Sequence, residues 1–287
     1  MSNSIYSLAT SKKAKVAIGV DPKLSSAERV INSTLFAKRE GYAEPVLISN
    51  EKISDNLSPD GIVGNEISLM IDKDVERTFV DLLKDGVVDA AVRGNLGSRT
   101  LVPLLRSEFK CKNLCRVTVL EVGGRLVMLT PVGIEEGDSL KDLVAIAGHC
   151  KRLANLLGIP YKIAVLSGGR LEDKGRSKKV DRMLSTSESL TRTLKKKGMD
   201  AENFGIELER AVEGDVTLLL APDGITGNFI FRSLVLVANV ESFGAYATAL
   251  PKVYIDTSRA KGSYLLPIIF ASALSKKLRG LRKTSSS

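Results

Sequence analysis

Short apolar runs typical of strands alternate with amphipathic helical segments along most of the chain. KVAIGV (15–20) and EPVLIS (44–49) are two such runs, rich in β-branched side chains. SLKDLVAIAGHCKRLANLLG (139–158) is the clearest helix, because Ser139 can cap its start and Gly158 ends it. Since parallel strands need helical crossovers, this alternation predicts an α/β fold with mostly parallel sheets.

A hairpin pattern interrupts the alternation near the middle of the chain. RVTVLE (116–121) and RLVMLT (125–130) are adjacent strand candidates, separated by a pair of glycines. The 287 residues are also too many for one tidy sheet. We therefore expect two α/β/α domains with a cleft between them. Domain I is predicted from residues 1–112 plus 261–287, and domain II from residues 113–260.

The chain is basic, with a formal net charge of +9 and a pI near 9.4. GRLEDKGRSKKVDR (169–182) concentrates part of this charge in a polar loop before a helix predicted near 187–197. Such a cluster is either a solvated face or a field that attracts a polyanion. Aromatic residues make up only 5% of the chain and Trp is absent, so platforms for base stacking are scarce. We expect a small anionic ligand and no nucleic-acid partner.

Neither an apolar run long enough to cross a bilayer nor an apolar signal-peptide core is present in the sequence. We therefore expect a cytoplasmic protein that makes no membrane contact. The three cysteines are too few for a disulfide scaffold, and Cys150 falls on the apolar stripe of the helix 139–158. Reduced thiols and no metal site are the expectation.

Four loops that follow predicted strands combine glycine with Ser, Thr or Asn, mostly beside an arginine: RGNLGSRT (93–100), SGGR (167–170), PDGITGN (222–228) and TSRAKG (257–262). Glycine lets backbone amides approach an anion, a following helix adds unpaired N–H groups, and Arg offers a bidentate fork for phosphate. The loops therefore predict a phosphate-bearing or other anionic ligand. The candidate ligand-binding residues are Arg93, Gly94, Asn95, Gly97, Ser98, Arg99, Gly168, Gly169, Asp223, Gly224, Gly227 and Asn228.

The loop PDGITGN leaves two interpretations open. In the first, Asp223 and Asn228 fix the backbone of a turn at the cleft, while Gly224 and Gly227 clear space for a ligand. In the second, the loop is only a tight turn that caps a helix over 228–239 through Asn228. Arg93 is similarly open, as a second phosphate contact or an ordinary surface charge.

Two enzyme classes are disfavoured by the same loops. None of them is a P-loop or the dinucleotide-binding glycine fingerprint. The single histidine, His149, lies off the apolar stripe of its helix and has no supporting context for a Ser-His-Asp triad. A P-loop nucleotide hydrolase and a triad hydrolase are therefore not expected.

The order and spacing of these loops resemble those of a known superfamily. DAAVRGNLGS and DGITGN are similar to the turns of the phosphate:acyl-carrier-protein acyltransferase of lipid synthesis, and LTPVGIEEGDSLKDLVAIA and KVYIDTSRA resemble the phosphate butyryltransferases. The resemblance implies an isocitrate-dehydrogenase-like fold, as in phosphotransacetylases, and a homodimer formed through the second domain. It also implies phosphate and a coenzyme A or acyl-carrier thioester as substrates, with no tightly bound cofactor.

Within that superfamily the chain most resembles the methanogenesis-marker proteins known as methyltransferase subunit X. This resemblance implies a methanogenic archaeon, a methyl-transfer role and membership of a methyltransferase complex. It offers an alternative to acyl transfer, in which the protein is a non-catalytic ligand-binding component of that complex.

The resemblance to phosphotransacetylases implies a catalytic pair, Ser258 and Arg259, beside the reacting thioester. In those relatives an Asp seven residues after the Ser acts as base, but this chain has Leu265 there and no acidic residue in 257–287. A thiol needs a base before it attacks, which is typically worth about 10²–10⁴-fold in rate, whereas phosphate is already an anion. The sequence thus favours attack by phosphate on a thioester, or a lineage that has lost transferase activity.

Overall fold

The computed structural model describes residues 2–11, 13–54, 56–57 and 62–284. The chain divides into two compact units. Unit 1 comprises Met1–Leu114 and Phe243–Ser287, and unit 2 comprises Cys115–Ser242. The first boundary lies two residues from the one expected from sequence. The second lies at residue 243 instead of 261, because the strands Glu241–Ala247 and Val253–Asp256 pair with each other, and the second of them pairs with a strand of unit 1.

The strands and helices within the described residues are as follows. The strands are β1 (Lys15–Val20), β2 (Glu44–Ser49), β3 (Ser68–Ile71), β4 (Ala90–Val92), β5 (Arg116–Val122), β6 (Arg125–Thr130), β7 (Lys162–Leu166), β8 (Asp200–Gly205), β9 (Leu218–Leu220), β10 (Glu241–Ala247) and β11 (Val253–Asp256). The helices are α1 (Ser2–Ser11), α2 (Ala27–Arg39), the single turn α3 (Ile62–Asn65), α4 (Val75–Lys84), α5 (Ser98–Glu108), α6 (Leu140–Leu157), α7 (Lys178–Lys196), α8 (Leu208–Glu213), α9 (Gly224–Phe231) and α10 (Leu265–Thr284).

Unit 1 is built on a sheet with the strand order β3-β2-β1-β4-β11-β10. All neighbours are parallel except β10, which runs antiparallel to β11. Ile18 on β1 lies opposite Leu47 on β2 and Val92 on β4. Helices α4 and α5 pack against this sheet, where Phe79 meets Tyr254 edge to face at a ring-centroid distance of 6.3 Å. This core places the carboxyl ends of β1, β4 and β11 side by side.

Unit 2 is built on a sheet with the strand order β5-β6-β9-β7-β8. The predicted hairpin is confirmed: β5 and β6 are antiparallel, and Gly123 and Gly124 turn the chain with φ of 56° and 73°. The other neighbours, β6 with β9, β9 with β7 and β7 with β8, are all parallel. The expected α/β fold with mostly parallel sheets is therefore confirmed.

The helix expected at 139–158 has the predicted ends. The hydroxyl of Ser139 accepts a hydrogen bond from the amide of Asp142 at 3.1 Å, and Gly158 ends the helix with φ of 69°. Two other helices start earlier than expected. Helix α7 begins at Lys178 because Ser177 caps it, and α9 begins at Gly224 because Asp223 caps it. After α9 the chain continues as a π-helical turn over Arg232–Val237.

Strands β3 and β8 lack the alternation of apolar and polar side chains that predicts a strand, although β3 has the largely apolar sequence SLMI. Both lie at the outer end of a strand order, where a strand packs against one neighbour only. The side chains of β3 are mostly exposed, and β8 has the polar sequence DAENFG. The alternating apolar signal that reveals a strand is weak where little surface is buried.

No helix among the described residues is both long enough and apolar enough to cross a membrane.

Candidate functional site

The loop between β4 and α5 crosses the end of β1 at very close range. Gly94 has a left-handed φ of 62°, and a Cβ atom there would lie 1.9 Å from the carbonyl oxygen of Gly19. Only glycine fits this position, for reasons of backbone shape and space together. Gly94 thus brings the following residues, Asn95 to Ser98, over the carboxyl end of the sheet.

Asn95 is fully buried, and its side chain joins two loops of unit 1. Its Nδ2 donates to the carbonyl oxygen of Asp21 at 3.0 Å and to the hydroxyl of Ser26 at 3.2 Å. Its Oδ1 accepts from the amide of Asp21 at 2.7 Å. The carboxamide is therefore engaged in holding the 93–97 segment against the loop that follows β1.

Arg93 is buried, and so it is not the ordinary surface charge that the sequence left open. Its Nε donates to Oδ1 of Asp256, and its Nη1 donates to the carbonyl oxygen of Leu96 at 2.6 Å. The same Asp256 oxygen accepts from the amide of Thr257 at 3.0 Å, and the Thr257 hydroxyl donates to Gly94 O at 2.7 Å. Arg93 and Asp256 thus lock the loop after β4 to the loop after β11.

Ser258 and Arg259 come directly after Thr257, which takes part in these contacts. The Nε of Arg259 donates to the carbonyl oxygen of Asn95 at 3.0 Å. Its Nη2 lies only 2.9 Å from where a Cβ atom of Gly97 would be, so the guanidinium group lies against Gly97. The hydroxyl of Ser258 accepts from the amide of Ala260 at 3.2 Å, which leaves its own proton for a further acceptor.

The amino end of α5 lies beside that guanidinium group. Gly97 is the N-cap residue and offers no side-chain acceptor to the amides of the first turn. No acidic residue occupies this turn, and Ser98 and Arg99 are exposed. Unpaired amides, the positive end of the helix dipole and the guanidinium group of Arg259 therefore converge on Gly97 and Ser98. This arrangement suits a tetrahedral oxyanion.

Two residues that follow the Ser-Arg pair help to hold its segment in place, although the sequence did not single them out. The hydroxyl of Tyr264 donates to the carbonyl oxygen of Ser258 at 3.2 Å, and burial raises its pKa in spite of Ser26 and the nearby arginines. Lys261 is buried, and its carbonyl oxygen accepts from Arg29 at 3.2 Å. The signal that could have identified these two residues from sequence is their position, a few residues after the Ser-Arg pair.

Leu265, at the position of the expected base, is the first residue of α10. No acid occurs in the sequence after Asp256, and the carboxylate of Asp256 is itself bound to Arg93. Neither position therefore offers a carboxylate that can accept a proton from a thiol. Within the described part of the chain, no cluster of His, Cys, Asp and Glu has the makings of a metal site.

The SGGR loop lies in unit 2, between β7 and α7. A Cβ atom on Gly168 would lie 2.4 Å from the sulfur of Met183, and one on Gly169 would lie 2.8 Å from a methyl group of Val180. These glycines therefore let α7 pack closely on the loop. The hydroxyl of Ser167 is buried and has no hydrogen-bond partner among the described residues.

The PDGITGN loop also lies in unit 2, where it meets the segment 131–136. Asp223 Oδ1 accepts from the amide of Thr226 at 2.7 Å, and Asn228 Nδ2 donates to Val132 O at 2.9 Å. Both side chains fix the backbone, as predicted. The idea that Asn228 caps the helix is wrong, because α9 has already begun at Gly224.

The space beside the two glycines of this loop is filled by backbone. A Cβ atom on Gly224 would lie 1.6 Å from Gly133 O, and one on Gly227 would lie 1.8 Å from Pro131 O. The close approach of α9 to the segment 131–136 accounts for both glycines without a ligand. Their part in ligand binding stays a prediction.

A buried ion pair holds the segment 131–136 in place. Glu136 is fully buried, and its carboxylate accepts from the amide of Arg116 at 2.9 Å and from the Nε of Arg116 at 3.1 Å. Burial raises the pKa of Glu136, although the positive charge of Arg116 acts in the opposite direction. The Arg116 guanidinium lies against Gly133, where a Cβ atom would be 1.9 Å away. This ion pair therefore anchors the surface that α9 contacts.

No protein-family model matches this chain. A protein of Methanosarcina barkeri named "Putative methyltransferase mtx subunit X" is 34% identical over 273 residues, which cover 93% of this chain and 95% of that protein. A phosphate acetyltransferase of Thermotoga maritima is 23% identical over 265 residues, covering 80% of this chain and 87% of that protein.

A solved structure identifies the fold. The branched-chain phosphotransacylase from Enterococcus faecalis V583 has a TM-score of 0.68 at 19% identity, covering 91% of this chain and 99% of that one. The chain thus has the phosphotransacetylase, isocitrate-dehydrogenase-like fold. The Methanosarcina protein shows the family, since 34% identity extends over 93% of the chain. The chain belongs to the family of methanogen proteins named "Putative methyltransferase mtx subunit X".

Proposed function

We propose that the protein moves an acyl group between a thioester carrier, either coenzyme A or an acyl carrier protein, and phosphate. The observation that carries this proposal is the position of Arg259 against Gly97, at the amino end of α5. Phosphate bound there accepts hydrogen bonds from the first-turn amides and from the guanidinium group at once. The contacts made by Arg93, Asn95 and Asp256 hold these donors before the ligand arrives.

The reaction that suits this site is attack by phosphate on a thioester. A phosphate oxygen forms a bond to the carbonyl carbon, the carbon–sulfur bond breaks, and the products are an acyl phosphate and a thiolate that takes a proton from water. Arg259 neutralises the oxyanion that develops on the carbonyl oxygen, and the Ser258 hydroxyl donates to the carbonyl oxygen or the sulfur. No protein base is required, which fits Leu265 in place of the expected Asp.

The second candidate is a non-catalytic ligand-binding component of a methyltransferase assembly. Two observations favour it: the absence of an acidic residue after Asp256 in the sequence, and the name of the family, which describes a methyltransferase subunit. In this candidate the same site binds a phosphate-bearing ligand without turning it over.

Inorganic phosphate at about 10 mM is expected to raise the thermal midpoint by about 2–5 °C, because a ligand that prefers the folded state stabilises it. Arg259→Ala removes the guanidinium group at Gly97 and should abolish this shift. Arg39→Ala, which removes an equal charge from the exposed end of α2, should keep it. Calorimetry with chloride at matched ionic strength supplies the baseline.

An assay of thiol release separates the two candidates. Phosphate-dependent release of free thiol from acetyl-coenzyme A or an acyl-carrier thioester, lost in Arg259→Ala, supports the enzyme. Stabilisation by phosphate without any release supports the binding component. A shift no larger with phosphate than with chloride contradicts both, since each needs an anion at Gly97.

We further propose a homodimer formed through α9 and the π-helical turn of unit 2. Three large apolar side chains there are exposed, Ile225 by 57%, Phe229 by 69% and Val237 by 78%. Phe229→Asp combined with Val237→Asp should halve the mass measured by light scattering at micromolar concentration, whereas Phe36→Asp on α2 should not. A wild-type chain that already has the mass of one protomer rules the dimer out.

A further inference from the structure

A basic lobe, residues 170–182, lies between β7 and the first turns of α7. Two of its acidic side chains make hydrogen bonds within the lobe. Asp173 accepts from the amide of Arg170 at 2.9 Å and from Nη1 of Arg176 at 2.6 Å. Asp181 Oδ1 accepts from the amide of Gly175 at 2.6 Å. Two of the three carboxylates in the lobe are thus turned inward, and Glu172 is the third.

The cations of the lobe face outward. Apart from Arg176, which pairs with Asp173, they make no ion pair with any carboxylate among the residues that the structure describes. All of them are exposed. Because Asp173 and Asp181 are bound within the lobe, one exposed acid, Glu172, stands against these cations, so the surface is strongly positive although the sequence of the segment looks mixed in charge. The remaining cations are Arg170, Lys174, Lys178, Lys179 and Arg182.

Two large apolar side chains lie exposed in the same place. Leu171 is 51% exposed and Ile206 is 55% exposed, and the amide of Ile206 donates to Gly169 O, two residues before Leu171. Apolar side chains ringed by charge are typical of protein interfaces. An aromatic side chain close to Ile206 in sequence, Phe204, is buried under Arg210 and offers bases no stacking platform.

We infer that the basic lobe is a docking surface for a protein partner that presents an acidic, amphipathic face. Carboxylates of the partner would meet the five outward cations, and its apolar side chains would cover Leu171 and Ile206. Complementary charge speeds and orients such an encounter, while the apolar contact slows dissociation. The inference rests on unit 2 alone and is independent of the proposed acyl transfer.

Charge reversal at one end of α7 tests this docking surface. The probe is a synthetic amphipathic helical peptide with glutamates on one face and leucines on the other, titrated by fluorescence anisotropy near physiological salt. Combined Lys174→Glu, Lys178→Glu and Lys179→Glu should weaken binding at least about tenfold, because three favourable charge pairs become repulsive.

The matched control makes the same change of charge at the other end of α7. Lys195, Lys196 and Lys197 are exposed and begin 17 residues after Lys178. They lie about 25 Å away along the helix, beyond the Debye length of about 8 Å at physiological salt. Replacing these three with Glu should change the affinity by less than about twofold. Circular dichroism checks that both variants remain folded.

Three outcomes would overturn the docking surface. Equal weakening in both triple variants indicates diffuse attraction by net charge. Tighter binding of a single-stranded oligonucleotide or of phosphatidylserine vesicles than of the peptide, with the same dependence on the lobe, assigns the surface to another class of partner. Unchanged peptide affinity in Leu171→Ser combined with Ile206→Ser removes the apolar contact on which the inference depends.

Discussion

Replacing Gly224 with alanine should lower the free energy of unfolding by at least about 3 kcal/mol, measured by urea denaturation. A Cβ atom there would lie 1.6 Å from Gly133 O and 2.9 Å from Glu136 O. The buried ion pair between Arg116 and Glu136 holds both oxygens in place, so neither can move at low cost. Helix α9 must therefore shift away, which breaks the hydrogen bond from the Gly224 amide to Glu136 O.

Gly148→Ala is the control for this change. Gly148 lies within α6 of the same unit, and apart from its chain neighbours and the helix's own backbone no atom of the described residues lies within 4 Å of the position of its Cβ. Alanine is favoured over glycine inside a helix, so this variant should gain about 0.5–1 kcal/mol. If Gly224→Ala is as stable as the wild type, the close packing of α9 on the segment 131–136 is wrong.

Removing the carboxylate of Asp256 has the second largest expected effect. Asp256→Ala takes away the charge that faces the buried Arg93 and the acceptor of the Thr257 amide. Breaking a buried ion pair from one side typically costs about 3–5 kcal/mol, so we expect a loss of that size in the free energy of unfolding. The stabilisation by phosphate should disappear as well, because the contacts of Asp256 that join the loops after β4 and β11 are lost.

Two further variants test whether the Arg93–Asp256 pair contributes more than an ordinary ion pair. Asp256→Leu combined with Arg93→Met removes both charges and should regain part of the lost stability, because no buried charge then faces an apolar neighbour. Glu66→Ala breaks the exposed pair between Arg39 and Glu66 and should have a much smaller effect. An Asp256→Ala variant that loses no more stability than Glu66→Ala contradicts the assigned role.

Much of the fold follows from local patterns in the sequence. The alternation of apolar runs and amphipathic helices predicted the α/β class, and Gly123-Gly124 predicted the hairpin of β5 and β6. Ser139 and Gly158 marked both ends of α6. These signals work because each depends on residues within a few positions of one another, so no distant partner is needed to interpret them.

The sequence also marked the two loops of the candidate site, 93–100 and 257–262, but not what joins them. Arg93 looked like a phosphate contact, whereas its partner is Asp256, 163 positions away in the chain. Asn95 looked like a ligand residue, whereas it binds the loop after β1, 74 positions earlier. Such roles depend on which strands are neighbours, and strand order is set by tertiary packing.

Composition and local pattern thus determined the class of fold, the basic charge and the glycine-rich loops at the ends of strands. Only the tertiary structure decided that β10 and β11 return to unit 1, that β11 lies beside β4, and that Gly224 and Gly227 face backbone. The reason is physical. Propensities and caps act over a few residues, whereas a buried charge or a missing Cβ is explained only by the atom that folding brings against it.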